Sequence, residues 1–377
     1  MDKSMRIVVT GARGLLGWHA HARLHAANCQ AAFAGQYRPF DVVALSHSEF
    51  DDDDRLVEAL ERANAVLHFA GVNRAADAEV EAANPAIARR LVAMCERAGA
   101  APHIVYANST HTASDTPYGR SKRLAGEVLA RGAGRYTEIV LPHIFGEGAR
   151  PFYNNVTATL IAKIIAGETP EVNPEGRVAL LHAGVAAQLA IDCAVDGVTG
   201  RIEPEATPLS VPRLYERLLG FHRSYQAGIY PDLSDPFARD LFNTYRHATY
   251  PDSWPRPLEL KADRRGVLFE AVKGGGGGQT FLSTTRPGIS RGDHFHLDKI
   301  ERFLVVQGEA IIRMRRVLHD EVWEFRVSGE NPAVVDMPTL HTHSIENVGD
   351  GDLLTLFWTH DIFDPSNPGT FADKVVR

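Results

Sequence analysis

Residues 288–308, GISRGDHFHLDKIERFLVVQG, decide the fold of the last third of the chain. His294 and His296 are two positions apart, so on a β-strand both side chains lie on the same face. Glu301 can join them from the next strand, and His343 from a more distant one. Imidazole and carboxylate groups are suitable ligands for Zn²⁺ and other divalent transition metals. The pattern therefore predicts a β-barrel that binds one divalent metal ion, with Zn²⁺ the expected ion and His296 either a fourth ligand or a nearby base.

Length and composition limit the possible functions. A chain of 377 residues is too long for one ordinary core and predicts two domains. Its net charge of -7 argues against a general nucleic-acid-binding protein. The three cysteines have no CxxC spacing, so they indicate neither a disulfide framework nor a cysteine zinc site. No apolar stretch approaches the roughly 20 residues that span a bilayer. We therefore expect a cytoplasmic protein with no membrane and no nucleic-acid partner.

The first part of the chain alternates short apolar runs with amphipathic helical ones. This alternation indicates βαβ units and a parallel sheet, the Rossmann-type doubly wound α/β fold. The expected strands cover residues 6–10, 42–45, 66–70, 104–107 and 139–141.

A segment rich in proline and aromatic residues, 250–257 (YPDSWPRP), interrupts this pattern. Proline continues neither a helix nor a central strand, so the segment predicts a domain boundary. Short β-type runs separated by turn residues follow it and predict a small all-β jelly roll. We expect domains at 1–248 and 263–377, joined by a linker at 249–262.

A glycine-rich turn, 10–17 (TGARGLLG), lies between the first strand and the first helix. Gly11, Gly14 and Gly17 would let the backbone turn tightly and approach a pyrophosphate at the start of the helix, where Leu15 lies. This position in a βαβ unit predicts a nicotinamide dinucleotide site, with a plain tight turn as the alternative.

Charge around this turn favours NADPH as the cofactor. An acid at the end of the second strand would bind the ribose hydroxyls of NAD, but here the strand ends in Ser46 and His47, without a carboxylate. Arg13 lies in the glycine turn, where a guanidinium can bind a 2′-phosphate through two hydrogen bonds. The alternative for Arg13 is a solvent-facing turn residue.

Tyr118 and Lys122 are four residues apart, which places both on one face of a helix. A lysine beside a phenol is expected to lower the phenol's pKa, so that Tyr118 can exchange a proton with a carbonyl or an alcohol. Ser109, at the end of the preceding strand, can hydrogen-bond the same oxygen. We therefore predict Ser109, Tyr118 and Lys122 as catalytic residues, the last two also contacting the cofactor.

Together these features resemble the extended short-chain dehydrogenase/reductases (SDRs) that act on nucleotide sugars. Residues 68–74 (HFAGVNR) match the strand end that lies against the cofactor in that superfamily, and 141–146 (LPHIFG) match the segment where its sugar-nucleotide lobe begins. The resemblance implies cofactor contacts from Ser46, Ala70, Gly71 and Pro142, and substrate contacts from Ser109, His143, Arg150 and Asn154.

An SDR followed by a cupin narrows the resemblance to the CapF family of bifunctional capsular-polysaccharide enzymes. The supporting segments are 150–156 (RPFYNNV), 287–292 (PGISRG), 302–308 (RFLVVQG) and 363–368 (FDPSNP). The resemblance implies that the cupin epimerises C3 of a UDP-2-acetamido-2,6-dideoxy-4-ketohexose and that the first domain reduces the C4 ketone with NADPH.

No tyrosine follows Tyr250, so the cupin lacks the tyrosine acid common among cupin sugar epimerases. We expect His296 to be the base, with His341 or the metal taking the place of the acid. One alternative keeps the reductase and makes the cupin a structural dimerisation module. A catalytically inactive dinucleotide-sensing regulator is a second alternative, which the presence of Ser109, Tyr118 and Lys122 disfavours. Exposed strand edges in the jelly roll favour a homodimer.

Overall fold

The structure is a computed structural model that describes residues 4–264 and 266–376. These residues form two compact units. The first contains the chain up to Thr159 and Asn173–Pro212, and the second contains Leu160–Val172 and the chain from Arg213 onward. In these described ranges we find no helix with the length and apolar character needed to cross a membrane.

The first unit is built on a six-stranded parallel sheet with the strand order β2-β1-β3-β4-β5-β8. Its strands are β1 (Met5–Thr10), β2 (Phe40–Leu45), β3 (Ala65–His68), β4 (His103–Ser109), β5 (Arg135–Leu141) and β8 (Gly200–Ile202). A second, three-stranded sheet has the order β6-β7-β9 and consists of β6 (His143–Phe145), β7 (Arg177–His182) and β9 (Thr207–Ser210).

The helices follow in chain order. They are α1 (Leu15–Phe33), α2 (His47–Asp51), α3 (Asp53–Leu60), α4 (Asp77–Arg97), α5 (Pro117–Gly132), α6 (Val156–Ile165), α7 (Ala183–Asp196), α8 (Val211–Gln226) and α9 (Pro236–His247), with a short 3₁₀ helix at Thr110–Ala113.

Both faces of the parallel sheet are covered, as the apolar strand sequences predict. Ile7 and Val9 of β1 point to one face, where they pack with Leu24 of α1 and residues of α7. Val8 points to the other face and packs with Leu91 of α4 and residues of α3 and α5. The alternation of neighbouring side chains along the strand thus creates two cores, one on each side of the sheet.

The second unit contains two five-stranded sheets with the orders β11-β20-β17-β22-β15 and β19-β18-β21-β16-β23. The strands of the first are β11 (Arg256–Pro257), β15 (Gln279–Thr285), β17 (Glu301–Gln307), β20 (Ala333–Met337) and β22 (Leu353–Thr359). Those of the second are β16 (Ser290–Phe295), β18 (Glu309–Arg316), β19 (Val322–Ser328), β21 (His341–Asn347) and β23 (Phe371–Ala372). Two smaller ladders join β10 (Ile229–Tyr230) to β14 (Lys273–Gly274) and β12 (Lys261–Asp263) to β13 (Gly266–Leu268).

Helices α8 and α9 pack within the second unit through buried polar contacts. The Tyr225 hydroxyl donates to Asp336 (2.5 Å), and Arg246 donates to the Met337 carbonyl (2.9 Å). The compact units therefore divide at about residue 212, whereas the sequence places the linker at 249–262. The linker position stays a prediction about where the domains are joined.

The two units confirm the predicted fold class. A Rossmann-type parallel sheet forms the first, and antiparallel strands in two sheets form the jelly roll of the second. All five expected strands of the parallel sheet are present, although β3 ends at His68, two residues before the predicted limit.

Candidate active sites

The glycine turn joins β1 to α1 and lies beside the ends of β2 and β3. Gly11 has a φ of +66°, and a Cβ there would lie 2.8 Å from the Ala70 nitrogen. A Cβ on Gly17 would lie 2.2 Å from the Gly11 carbonyl oxygen. Gly14 is exposed and is the residue immediately before α1, which begins at Leu15. Side chains at Gly11 and Gly17 would thus clash with backbone, and Gly14 stays open to a ligand.

Ala70 and Gly71 form the loop that faces this turn. The Ala70 amide donates to the Thr10 hydroxyl (3.2 Å), which also shares a hydrogen bond with His68 (2.8 Å). A Cβ on Gly71 would lie 2.9 Å from Asn84 Oδ1. The predicted cofactor residues of the first three strands are therefore brought together at one edge of the sheet. Pro142 lies at the same edge, directly after the last residue of β5.

The end of β2 contradicts one step of the cofactor argument. The sequence predicts no carboxylate there, but Glu49 folds back onto Ser46, whose amide and hydroxyl donate to Oε2 at 2.9 and 2.6 Å. These hydrogen bonds lower the pKa of Glu49, and the charges of Arg55 and Arg13 lower it further. An ionised carboxylate is therefore present at the strand end, and Arg13 lies close enough to act on it.

The Ser109 and Tyr118 side chains are hydrogen-bonded to each other. That both bond one substrate oxygen stays a prediction. The predicted effect on the phenol is wrong, however. Burial raises the pKa of Tyr118, and the Ser109 hydrogen bond only partly opposes this. The reason is the position of Lys122, whose Nζ donates to the Ala107 carbonyl (2.7 Å) and lies 4.1 Å from the centre of the Tyr106 ring.

Lys122 is itself strongly perturbed. Its side chain is buried, and this burial lowers its pKa to about 7, although the nearby Glu138 carboxylate acts in the opposite direction. An ammonium in this position loses hydration and gains one carbonyl acceptor and one aromatic face.

Two histidines extend the Ser109–Tyr118 pair. The ring of His111 lies 5.8 Å from the Tyr118 ring, and the charge of His111 adds to the burial that lowers the pKa of His143. The prediction included His143 but not His111, which follows Ser109 in a 3₁₀ turn that no sequence motif indicates. The structure thus groups Ser109, His111, Tyr118 and His143.

The two remaining predicted substrate residues, Arg150 and Asn154, are exposed and lie on the loop after β6. Asn154 donates to the Asn73 carbonyl (2.9 Å), and Arg74 donates to the carbonyl of Phe152. These bonds tie the loop to the segment that follows β3.

A buried group of His19, Glu147 and His182 lies in the same unit and was not predicted. His182 Nε2 donates to Glu147 Oε2 (2.8 Å), and His19 Nε2 donates to the Glu147 carbonyl (2.9 Å). Burial lowers the pKa of His19 to about 3, and the charge of Arg23 lowers it further. The neighbouring Gly146 and Gly148, both with positive φ, are the only local signal for this arrangement. The group is held by its own hydrogen bonds and anchors the loop after β6.

The second unit brings all four predicted metal ligands together. The Nε2 atoms of His296, His343 and His294 lie 3.1, 3.2 and 3.9 Å from Glu301 Oε2. Burial would raise the pKa of Glu301, but the nearby imidazoles lower it well below its usual range. One ligand atom from each residue lies within 4.8 Å of the others. This donor set of three imidazoles and one carboxylate fits Zn²⁺ or a related divalent ion.

Backbone carbonyls orient two of the imidazoles. His296 Nδ1 donates to the Gly369 carbonyl (2.7 Å), and His343 Nδ1 donates to the His341 carbonyl (3.0 Å). Each bond leaves the Nε2 lone pair directed at the other ligands, an arrangement typical of metal-binding histidines.

A β-bulge places His294 in the group. Between Gly292 and His294 the pairing of β16 with β21 shifts by one residue, so that His294 lies opposite His343. Gly292 and Asp293 have φ angles of +100° and +56°, and a Cβ on Gly292 would lie 2.7 Å from the His343 carbonyl oxygen. The extra residue changes the direction of the side chains that follow it in the strand, as bulges near functional sites do.

Residues 369–375 support this bulge from outside. The carboxylate and carbonyl of Asp293 accept hydrogen bonds from the amides of Val375 (3.0 Å) and Asp373 (2.9 Å). β23 pairs with β16 at His294 and Phe295. Two predicted metal ligands, His294 and His296, are therefore held by this segment.

His341 lies next to an aromatic group. Its ring packs 5.2 Å from His247, 5.6 Å from Trp323 and 6.1 Å from Tyr250. Its Nδ1 donates to the Thr339 carbonyl (2.9 Å), and burial lowers its pKa well below the usual value. The structure therefore places His341 among these rings and leaves the ligand group to the other four residues.

Two family models match the chain. Residues 7–186 match the NAD dependent epimerase/dehydratase family, and residues 261–371 match the polysaccharide biosynthesis C-terminal domain. Among solved structures, the capsular polysaccharide assembling protein CapF from Staphylococcus aureus is 29% identical with a TM-score of 0.58, covering 98% of this chain and all of that one. The chain is thus similar to CapF over nearly its full length.

Two further relatives extend this result. A UDP-2-acetamido-2,6-beta-L-arabino-hexul-4-ose reductase from Pseudomonas aeruginosa is 29% identical over 98% of this chain and 99% of its own length. A UDP-N-acetylglucosamine 4-epimerase from Methanobrevibacter ruminantium shares the fold of 65% of the chain, with 17% identity and a TM-score of 0.53. The chain therefore combines a region that matches the NAD dependent epimerase/dehydratase family with a second region that matches the polysaccharide biosynthesis C-terminal domain.

Proposed function

We propose that the protein reduces the C4 ketone of a UDP-2-acetamido-2,6-dideoxyhexos-4-ulose with NADPH, and that its cupin unit epimerises C3 of the same sugar. The observation that carries the reductase part is the hydrogen-bonded Ser109–Tyr118 pair at the edge of the sheet that bears the glycine turn. The full-length similarity to a reductase of this substrate class supports the choice of sugar. A UDP-sugar is thus the proposed small-molecule substrate.

In the reductase site, bound NADPH would supply the hydride to C4. Ser109 would hydrogen-bond the C4 oxygen, and Tyr118 would donate its phenolic proton to that oxygen as negative charge develops. The raised pKa keeps Tyr118 protonated near neutral pH, which suits a proton donor. His143 would also contact the sugar, since it begins β6 and the loop after this strand carries Arg150 and Asn154.

The preference for NADPH rests on Arg13. This residue lies in the glycine turn and is exposed, so its guanidinium is available to a 2′-phosphate. Ser46 at the end of β2 offers an amide and a hydroxyl to the same group. The carboxylate of Glu49 opposes this preference, because it repels a phosphate.

In the cupin, we propose that His294, His296, Glu301 and His343 bind one Zn²⁺ ion. The convergence of their ligand atoms supports this, as do the Nδ1 hydrogen bonds of His296 and His343. A metal bound there would act as a Lewis acid toward the C4 carbonyl of the sugar. Because the C3 proton is acidic only while C4 is a ketone, epimerisation precedes reduction. His296 remains the proposed base, a role that competes with its place in the ligand group.

Incubation with UDP-4-keto-6-deoxy sugars in deuterated water tests both activities. Deuterium at C3 without NADPH reports epimerisation, and loss of nicotinamide absorbance reports reduction. Reduction without exchange at C3 would instead support a cupin that serves only for dimerisation. The absence of both signals would refute the proposal. We further propose a cytoplasmic homodimer.

A further inference from the structure

The carboxylate at the end of β2 is held by groups that also suit a phosphate. Glu49 Oε2 accepts from the Ser46 amide (2.9 Å) and hydroxyl (2.6 Å). On its other side, Arg55 Nε lies 3.9 Å from Oε1. The charge of Arg13 also acts on this carboxylate. One anion, supplied by the chain itself, thus accepts two hydrogen bonds from Ser46 and is acted on by the charges of two guanidinium groups.

This group lies beside the glycine turn. Ser46 follows Leu45, which pairs with Thr10 and whose carbonyl accepts a hydrogen bond from Ala12 of the turn (3.1 Å). In doubly wound sheets the adenosine ribose of a dinucleotide binds at this strand end. The Glu49 side chain is 39% exposed, so a ligand can reach it.

We propose that Glu49 sets the cofactor preference by occupying the position of the 2′-phosphate. NADPH binds when its phosphate displaces the carboxylate from Ser46 and takes over the contacts with Arg13 and Arg55. NADH leaves the carboxylate in place, and its ribose hydroxyls donate to Glu49. This inference rests on the proposed dinucleotide site and adds the residue that limits the preference for NADPH.

Helix capping alone does not account for the arrangement. The Ser46–Glu49 hydrogen bonds cap α2, but a cap needs no guanidinium from the glycine turn. Arg55 also binds Glu58, whose Oε2 lies 2.6 Å from Nη1. Glu58 therefore shares one cation with Glu49 but has no hydrogen bond to Ser46 among the described residues, which provides a matched control.

The test compares Glu49→Gln with Glu58→Gln in the full chain. Each substitution removes one negative charge beside Arg55, and the glutamine at position 49 can still accept from Ser46. The probes are adenosine 2′,5′-bisphosphate and adenosine 5′-monophosphate, which differ only in the 2′-phosphate. Calorimetry measures binding without turnover, and thermal unfolding checks that each variant is folded.

We expect Glu49→Gln to bind the bisphosphate about fivefold more tightly and the monophosphate about fivefold more weakly, since a partly exposed charge contact is worth about 1 kcal/mol. Glu58→Gln should change either affinity less than about twofold. Weaker or unchanged binding of the bisphosphate by Glu49→Gln overturns the proposal, as does an equal gain in Glu58→Gln. If the unsubstituted protein binds neither probe, the dinucleotide site is refuted and the inference falls with it. If the protein binds both adenosine phosphates but does not turn over the sugar, only the proposed substrate is refuted.

Discussion

Lys122 and Ala107 are joined by a 2.7 Å hydrogen bond from the lysine Nζ to the backbone carbonyl. The amine is buried, and its other contact is with the Tyr106 ring. An amine with a lowered pKa destabilises the folded chain at neutral pH, because the unfolded chain binds the proton more readily. The residue is therefore retained at a cost to stability.

Lys122→Met is expected to raise the free energy of unfolding by about 1–3 kcal/mol at pH 7, since relief of desolvation outweighs the lost hydrogen bond and ring contact. Between pH 7 and 10.5 the unfolded chain keeps the proton that the folded chain has lost, so the unsubstituted protein gains stability as pH rises. The advantage of the variant should shrink over this window. Urea unfolding at several pH values measures it, and a variant less stable than the parent at pH 7 would contradict the argument.

Tyr118→Phe should lower kcat for ketone reduction by about 10²–10⁴-fold, because the proton donor is removed. NADPH affinity should remain close to that of the parent. Stopped-flow absorbance and fluorescence titration measure the two quantities. Tyr37→Phe, at an exposed tyrosine away from the predicted site, is the control. Reduction at the parental rate by Tyr118→Phe would show that the site is misassigned.

Arg13→Ala should narrow the gap between NADPH and NADH by weakening NADPH alone, since only NADPH carries the phosphate that the guanidinium binds. The ratio of kcat/KM for the two cofactors measures this. Arg89→Ala removes an exposed charge elsewhere in the unit and should leave the ratio unchanged. Equal use of both cofactors by the unsubstituted protein would refute the electrostatic argument.

Protein purified without added metal or chelator should contain one Zn²⁺ per chain. His343→Ala should lose most of it, because His343 is a buried member of the ligand group. Elemental analysis measures the content, and His319→Ala, an exposed histidine of the same unit, is the control. A metal-free protein with a fully folded cupin would count against the site.

His296→Ala and His341→Ala should each suppress deuterium incorporation at C3 while NADPH-dependent reduction of an already epimerised ketosugar continues. Mass spectrometry of the sugar reports exchange, and nicotinamide absorbance reports reduction. His341 is the sharper test, because it lies outside the ligand group and its loss need not remove metal. Normal exchange in His341→Ala would exclude it as the acid.

The features that the sequence predicts well are those set by local periodicity. Alternating apolar residues in β1 define both faces of the sheet, and the His294–His296 spacing places both rings near Glu301 because strand side chains alternate. The backbone leaves that period at the bulge beside Asp293, and there the shifted register still brings His294 opposite His343.

The sequence-based predictions are wrong where a side chain can form hydrogen bonds with more than one possible partner. Helical spacing places Lys122 on the face of Tyr118 but does not show that Ala107 offers a nearer acceptor. In the same way, Glu49 reaches the end of β2 only by folding back over one helical turn, so an inspection of the strand end alone misses it. The Lys122 contact depends on a neighbour that is distant in sequence, which spacing does not encode. The Glu49 contact follows from the Ser-x-x-Glu spacing of a capping box, which an inspection limited to the strand end overlooks.

If the proposed zinc site forms, the support of the bulge by residues 369–375 would make metal loading depend on an intact C-terminal segment. A chain that stops before residue 369 keeps all four ligand residues yet lacks the Gly369 carbonyl, β23 and the amides that bind Asp293. Premature termination or proteolytic trimming in this region would thus resemble the loss of a ligand. The zinc content of a preparation would then report what fraction of the chains still includes residues 369–375.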